Sequence, residues 1–481
     1  MSDRDILIEN VKKYGQWPLL LLFAYFLGLL FAKGGIIITA AAASLPLILV
    51  VFAIIFSYPL SGMIMAMVVG LIVNGVTRYV SAPLGTSLDI VLVISIFSAL
   101  FSVSYENIKK LNNSLIWVLL VWTGFTMLEI LNPEAVSFEA WFYAVRAISF
   151  YIIFLIILTF LVLKTEKFID VFINLWMIGA LVAALYGMKQ MYIGLDHVEK
   201  AWLETAADTH ILFGKIRYFS FCSDAGQFGA FMSFSTLVAV ILSLKSDSTF
   251  KSVFYFIVAV LCFWGMAISG TRGAMFVFVG VLFYLLLTKN FRIFTLGFIV
   301  MAAIFCFLRF TFIGQSNYQI QRMRSAVNPQ SDPSFKVRLE NQRKLKAYLA
   351  SRPIGGGIGT IGYWGSRFSP GTFLAETPPD SHYVRIWAET GIVGLTIHIL
   401  TLLFILARGF YLVYNLRNPY LKQKMMALYA GVFGILVASY GNQVLAQFPT
   451  IVFWSISVGV IFLAPSLDTD KTSDTVKPVM Y

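Results

Sequence analysis

Apolar runs of about 17 to 25 residues recur from Trp17 to Ala464, and no other feature limits the possible folds of this chain as much. At 1.5 Å of rise per residue, each run is long enough to cross about 30 Å of hydrocarbon as a helix. Lipid offers the backbone no hydrogen-bond partners, so a spanning segment must close its own, and runs of this length do so as helices. Composition agrees: 59% of the 481 residues are hydrophobic and 12% charged, against roughly 25% charged in a soluble domain. The expected fold is an all-α, polytopic membrane helical bundle with about fourteen transmembrane helices. Among them are separate spans at 17–31 and 36–56, one at 274–287 and one at 386–414.

Charge sets the orientation. With the N-terminus inside, behind Lys12 and Lys13, the loops carrying Lys109/Lys110, Lys164/Lys167, Lys245/Lys251, Lys289/Arg292 and Arg417/Lys422/Lys424 all fall on the cytoplasmic side. The formal charge of +12 is then a topology signal, with no nucleic-acid partner implied. The first apolar run follows charged residues and leads straight into another, which predicts no cleavable leader. Five segments result: a scaffold at 1–193, a core with outer arginines at 194–313, a long outer loop at 314–385, C-terminal helices at 386–465 and an inner tail at 466–481. Cys222, Cys262 and Cys306 are scattered, with no CxxC or Cys/His spacing, so neither a disulfide framework, a metal site nor any other cofactor is expected.

The outer loop exceeds the usual length of a connection, which marks it as functional. It carries ten Lys and Arg against Asp332, Glu340, Glu376 and Asp380. Long loops translocate regardless of charge, so the excess points to an anionic ligand or to lipid headgroups. Within it, 332–353 reads as a helix capped by Asp332, opened by Pro333 and stopped by Pro353. Phe335, Leu339, Leu345 and Leu349 fall on one side, so this helix could roof an outer cavity. "RPIGGGIGTIG" (352–362) holds a formal GxGxxG, but no strand precedes it. It is either an anion-contacting turn or a flexible linker.

Two more arginines stand at outer helix ends, Arg217 in "GKIRYFSFCSDAGQFGAF" and Arg272 in "AISGTRGAMF". Guanidinium groups stay charged and match phosphate oxygens bidentately, so the pair suits a diphosphate; the alternative is simple snorkelling. At the mouth of a later span, "PPDSHYVRIWAETG" (378–391) places Asp380, His382 and Arg385 together. A histidine there has the proton affinity of a general base near neutral pH. His398 lies within a span and reads as a packing residue, while His197 and His210 sit in an outer loop.

In this order, an arginine before "SF", then "SGTRGAMF", a long loop ending in "RPIGGGIG" and "DSHYVRIWAETGIVGL", the second half of the chain resembles the O-antigen ligase / O-antigen polymerase superfamily of bacterial inner-membrane glycan transferases. The resemblance implies transfer of a glycan from an undecaprenyl-diphosphate carrier to a sugar hydroxyl at the periplasmic face, without nucleotide sugar or metal. The acceptor would be another glycan or the lipid A core. It also implies that Arg217 and Arg272 hold the diphosphate and that the loop helix with Arg338 shapes the pocket, with Arg385 as a further substrate-binding cation. The ligase pattern His-Asn-x-Tyr aligns with Asp380, Ser381 and Tyr383, which displaces His382 by two residues. Either Asp380 or His382 is therefore the expected base, and the departure favours the polymerase branch. The rival readings are a transporter or flippase for a lipid-linked anion and a noncatalytic glycan-assembly protein. Outer-end placement of the ionisable residues and the lack of an internal repeat weigh against transport.

Overall fold

The computed structural model describes residues 17–80, 84–102, 105–135, 137–212, 214–327, 333–379 and 381–468. Lys12, Lys13, Asp332, Asp380 and most of the tail at 466–481 lie outside the described residues. The chain is an all-α integral membrane protein. Among the described residues, eleven helices are long and apolar enough to span a bilayer, from Pro59–Tyr79 to Thr450–Leu467. The expected span at 274–287 is a shorter apolar helix, Arg272–Leu287. The two spans expected at 17–31 and 36–56 form one continuous helix, Trp17–Ser57, whose 41 residues rise about 60 Å. The only strands among the described residues are Ile211–Leu212 and Lys215–Ile216, a two-residue antiparallel pair.

The helices are arranged by how apolar their whole circumference is. Ala225–Leu244, whose apolar window is 83% buried, stands at the centre, whereas Phe291–Phe310, at 6%, presents nearly all its side chains to the surroundings. A helix hydrophobic all round and buried needs no amphipathic stripe. Around the centre, Trp176 packs edge-on against Phe234 and tilts onto Phe453, and its indole N–H donates to Ser235 Oγ at 3.0 Å. A charged side chain inside a span is tolerated when paired: buried Arg146 is bound to Asp89 of the helix Ser87–Ser102.

Close helix contacts are made through missing side chains, as membrane bundles require. A Cβ at Gly280 would stand 2.0 Å from the Ala430 carbonyl, and one at Gly434 would stand 2.2 Å from that of Val277. These two glycines clamp Arg272–Gly280, wound as a tight 3₁₀ helix, against Pro419–Ala438. Arg272 is thereby held at the first position of that element.

The helix His382–Tyr414 is broken at Gly391, with φ +64° and ψ −166°. His382 Nε2 lies 3.1 Å from His398 Nε2. Sixteen residues of straight helix would separate them by about 24 Å, so the chain doubles back into an elbow. The glycine-rich segment is spliced into its bend. The amides of Gly356 and Gly357 donate to the carbonyls of Ala388 and Glu389, each at 2.9 Å, the Gly359 amide donates to Glu389 Oε1 at 3.1 Å, and Val393 N–H donates to Pro353 O at 3.1 Å. Neither expected role of "RPIGGGIG" describes this: its amides face the elbow, and it is a backbone splice.

Candidate functional site

At the end of the bundle that carries the elbow, a cavity of about 930 Å³ opens under the helix Pro333–Leu349. Among the described residues, its walls come from Thr209 onward in the chain. One part of the wall is cationic, with Arg217, Arg272, Arg322 and Arg338. Another part is aliphatic and aromatic, with Ile399, Leu402, Leu403 and Leu406 of the elbow's long leg facing Phe433, Leu436 and Val437. An amphipathic ligand with an anionic head fits such a chamber.

Each arginine is held by the local fold. The three kinds of guanidinium nitrogen of Arg217 donate to Ser269 O (Nε, 3.2 Å), Thr209 O (Nη1, 2.8 Å) and Thr271 Oγ1 (Nη2, 2.8 Å). Three of its five N–H groups are so engaged, and two remain for a ligand. Burial lowers the Arg217 pKa, Asp224 and Tyr318 oppose this, and Arg272 adds to it; a guanidinium stays protonated throughout. Arg322, from Tyr318–Ala326, donates through Nε and Nη2 to Gly270 O, both at 3.1 Å, and so braces the turn before Arg272. Arg272 itself reaches Ser325 Oγ at 3.5 Å.

The helix above the cavity divides its work. Phe335 and Arg338 line the cavity, while Leu345 and Leu349 are buried with Ile361, Leu374 and Ala388, against the elbow's short leg. Leu339, expected on the buried face, is 39% exposed.

Residues 257–399 match the family model described as O-antigen ligase. The segment holds Arg272, Arg322, Arg338, the roof helix, the glycine splice and the bend of the elbow. Over these residues the chain is similar to that family. No curated protein matches the chain. The match supports membership of the O-antigen ligase / polymerase superfamily, an O-antigen ligase-like function in surface-glycan biosynthesis and an enzyme of glycosyltransferase type, with a lipid-linked glycan and an acceptor as partners in general terms.

Of the residues singled out from sequence, Arg217, Arg272 and Arg338 come together at the cavity. His382 and Arg385 do not line it. The His382 ring is 1% exposed and turned into the elbow against His398, whose own ring lies tilted against Trp122 at 4.7 Å. Arg385 is buried and donates through Nε to Glu389 Oε1 at 3.1 Å, one turn along the same leg. Asp380 lies outside the described residues; Pro379 before it and Tyr383 after it both line the cavity, and the Tyr383 hydroxyl donates to Leu436 O at 2.7 Å.

Sequence reasoning missed Arg322, His210, Asp224 and Asn442, all on the cavity wall. His210 accepts the Ala225 N–H at Nε2 (3.2 Å), so its proton sits on Nδ1, within reach of Ala206 O at 3.2 Å and Thr209 Oγ1 at 2.8 Å. Burial lowers its pKa; Asp224 and the Ala206 carbonyl oppose the shift, and Arg217 and Arg78 add to it. This neutral imidazole is a fixed part of the wall. The only signal for it in the sequence was its place seven residues before Arg217.

Proposed function

We propose that the protein transfers glycan from an undecaprenyl-diphosphate carrier to an acceptor sugar hydroxyl at the periplasmic face of the bacterial inner membrane. The observation that carries this reading is the pairing, in one 930 Å³ cavity, of four arginines with an aliphatic wall that runs along a spanning helix. A polyprenyl diphosphate has that same division between head and tail.

In the mechanism, Arg217, Arg272, Arg322 and Arg338 surround the diphosphate, and the prenyl chain lies along Ile399, Leu402 and Leu406. Asp380 is the general base. It occupies the histidine place of the ligase pattern and is next in sequence to Pro379, which lines the cavity, whereas the His382 ring is occupied with His398. Asp380 takes the proton of the acceptor hydroxyl as that oxygen attacks the anomeric carbon. The bond from the anomeric carbon to the phosphate oxygen breaks, the arginines hold the negative charge that grows on the leaving diphosphate, and the anomeric centre inverts. The departure at Asp380 favours glycan polymerisation over ligation to the lipid A core.

The test replaces the chromosomal copy with Arg272→Ala or Asp380→Asn and separates surface glycans by size. Loss of long chains with the lipid-linked unit accumulating is the expected result, for Arg272→Ala a rate loss of about 100-fold or more. Single repeats left on the core identify a polymerase; a bare core with polymer on the carrier identifies a ligase. An unchanged ladder in both variants refutes the proposal.

A further inference from the structure

We infer that Asp224, Gly226 and Asn442 form the subsite for the first sugar of the lipid-linked donor, the one joined directly to the diphosphate. The inference rests on the transfer reading above and assigns the cavity's polar corner within it.

All three residues line the cavity beside Arg217 and Arg272. Asp224 Oδ1 accepts the Gln227 N–H and Oδ2 accepts the Ser223 hydroxyl, both at 2.9 Å, which fixes the carboxylate plane. Each carboxylate oxygen retains a lone pair beyond those bonds. Across from it, Asn442 Oδ1 accepts the Gln443 N–H at 2.8 Å, which orients the carboxamide and leaves Nδ2 as its donor end. Gly226 lies between them. A Cβ there would stand 2.2 Å from Asn442 Nδ2 and 2.8 Å from Asp224 Oδ1, so an acceptor and a donor face one another across a single missing methyl group.

That arrangement suits neighbouring sugar hydroxyls, one donating to the carboxylate and the next accepting from the amide. It suits a phosphate poorly, because a carboxylate repels it. Within the cavity the labour is divided: the arginines take the diphosphate, and the one described carboxylate on the wall takes the neutral, hydroxyl-rich group attached to it. The first sugar is bonded to the diphosphate, and Asp224 and Arg217 line the same cavity, so one ligand reaches both.

The experiment uses the full chain in lipid nanodiscs and two probes: undecaprenyl diphosphate, and the lipid-linked repeat unit extracted from a deletion strain that accumulates it. Wild type is expected to bind the glycan-bearing lipid about 10-fold or more tightly than the bare one, equivalent to about 1.4 kcal/mol. Asp224→Asn keeps a good helix N-cap, and with Asn442→Ala it should bring that ratio toward one while bare-lipid affinity stays within about two-fold of wild type. Gly226→Ala should do the same by displacing Asn442, and Arg272→Ala should weaken both lipids. Wild type that binds both lipids equally, or variants that keep the wild-type ratio or weaken both lipids alike, overturn the subsite and leave the transfer reading standing. Wild type that binds neither lipid overturns the transfer reading itself.

Discussion

Replacing Gly391 with alanine puts two separable strains on the elbow. At φ +64° and ψ −166° the backbone lies in a region that residues with a Cβ all but avoid, at about 1–3 kcal/mol. The added methyl would also stand 2.1 Å from Pro353 O and 2.4 Å from Gly355 N, backbone atoms that cannot swing aside, and overpacking of that kind costs about 1–3 kcal/mol more. Relief requires the splice to open, at the expense of the Val393 to Pro353 and Gly356 to Ala388 hydrogen bonds. The summed destabilisation is about 2–6 kcal/mol. Gly371→Ala is the matched comparison: its φ is +80° but nothing lies within 4 Å of the added Cβ, so it carries backbone strain alone, about 1–2 kcal/mol. Thermal unfolding of the detergent-solubilised chain, with protease cleavage within 353–362 as second readout, should show Gly391→Ala melting well below Gly371→Ala and cut in the splice. If the two variants melt together and resist protease alike, the elbow is not held by close backbone packing.

Two further outcomes are expected. His210 is buried with a lowered pKa, so the unfolded chain binds more protons than the folded one once pH falls below its ordinary 6.5, and stability should drop on acidification from pH 7 to 5; His210→Gln should flatten that slope in melts across pH, and an unchanged slope counts against the buried-neutral assignment. Arg322→Ala should lower transfer by about 10-fold or more by releasing the turn before Arg272, and Arg322→Lys should recover little of it, since an ammonium cannot reproduce the planar fork whose two N–H groups converge on the Gly270 carbonyl; a fully active lysine variant rejects the bracing role.

The spans were legible because length and hydropathy are what a bilayer demands, and nearly every expected run is a helix. The arginines at helix ends were legible for a related reason: a charge at the edge of an apolar run stands out. The elbow was not. Residues 386–414 read as one apolar span, and the doubling back depends on backbone bonds from a segment some thirty-five residues earlier, which periodicity does not register. That is why His382 looked exposed at a helix mouth although its ring is buried against His398. Arg322 was hidden among ten basic residues of one loop, and the merging of the first two spans turned on 32–35, "AKGG", continuing as helix where a turn was expected. Asp224 and Asn442 are distant in sequence and meet only because two helix ends converge over Gly226.

Among the described residues every wall of the cavity comes from residue 209 onward, while the helices before it meet the rest through interior packing such as Gly75 under Phe221 and through hydrogen bonds such as those from Arg78 to Ser220 O and from Asn132 to Ile354 O. Two different tolerances for change are therefore written along a single chain. The early helices can exchange one apolar side chain for another wherever volume is kept and the glycine contacts and these hydrogen bonds survive, so their apolar surfaces can drift without altering the cavity wall. The later portion is constrained by hydrogen-bond geometry, and on the proposed subsite a new sugar preference would arise there, through a few substitutions around one corner of the wall.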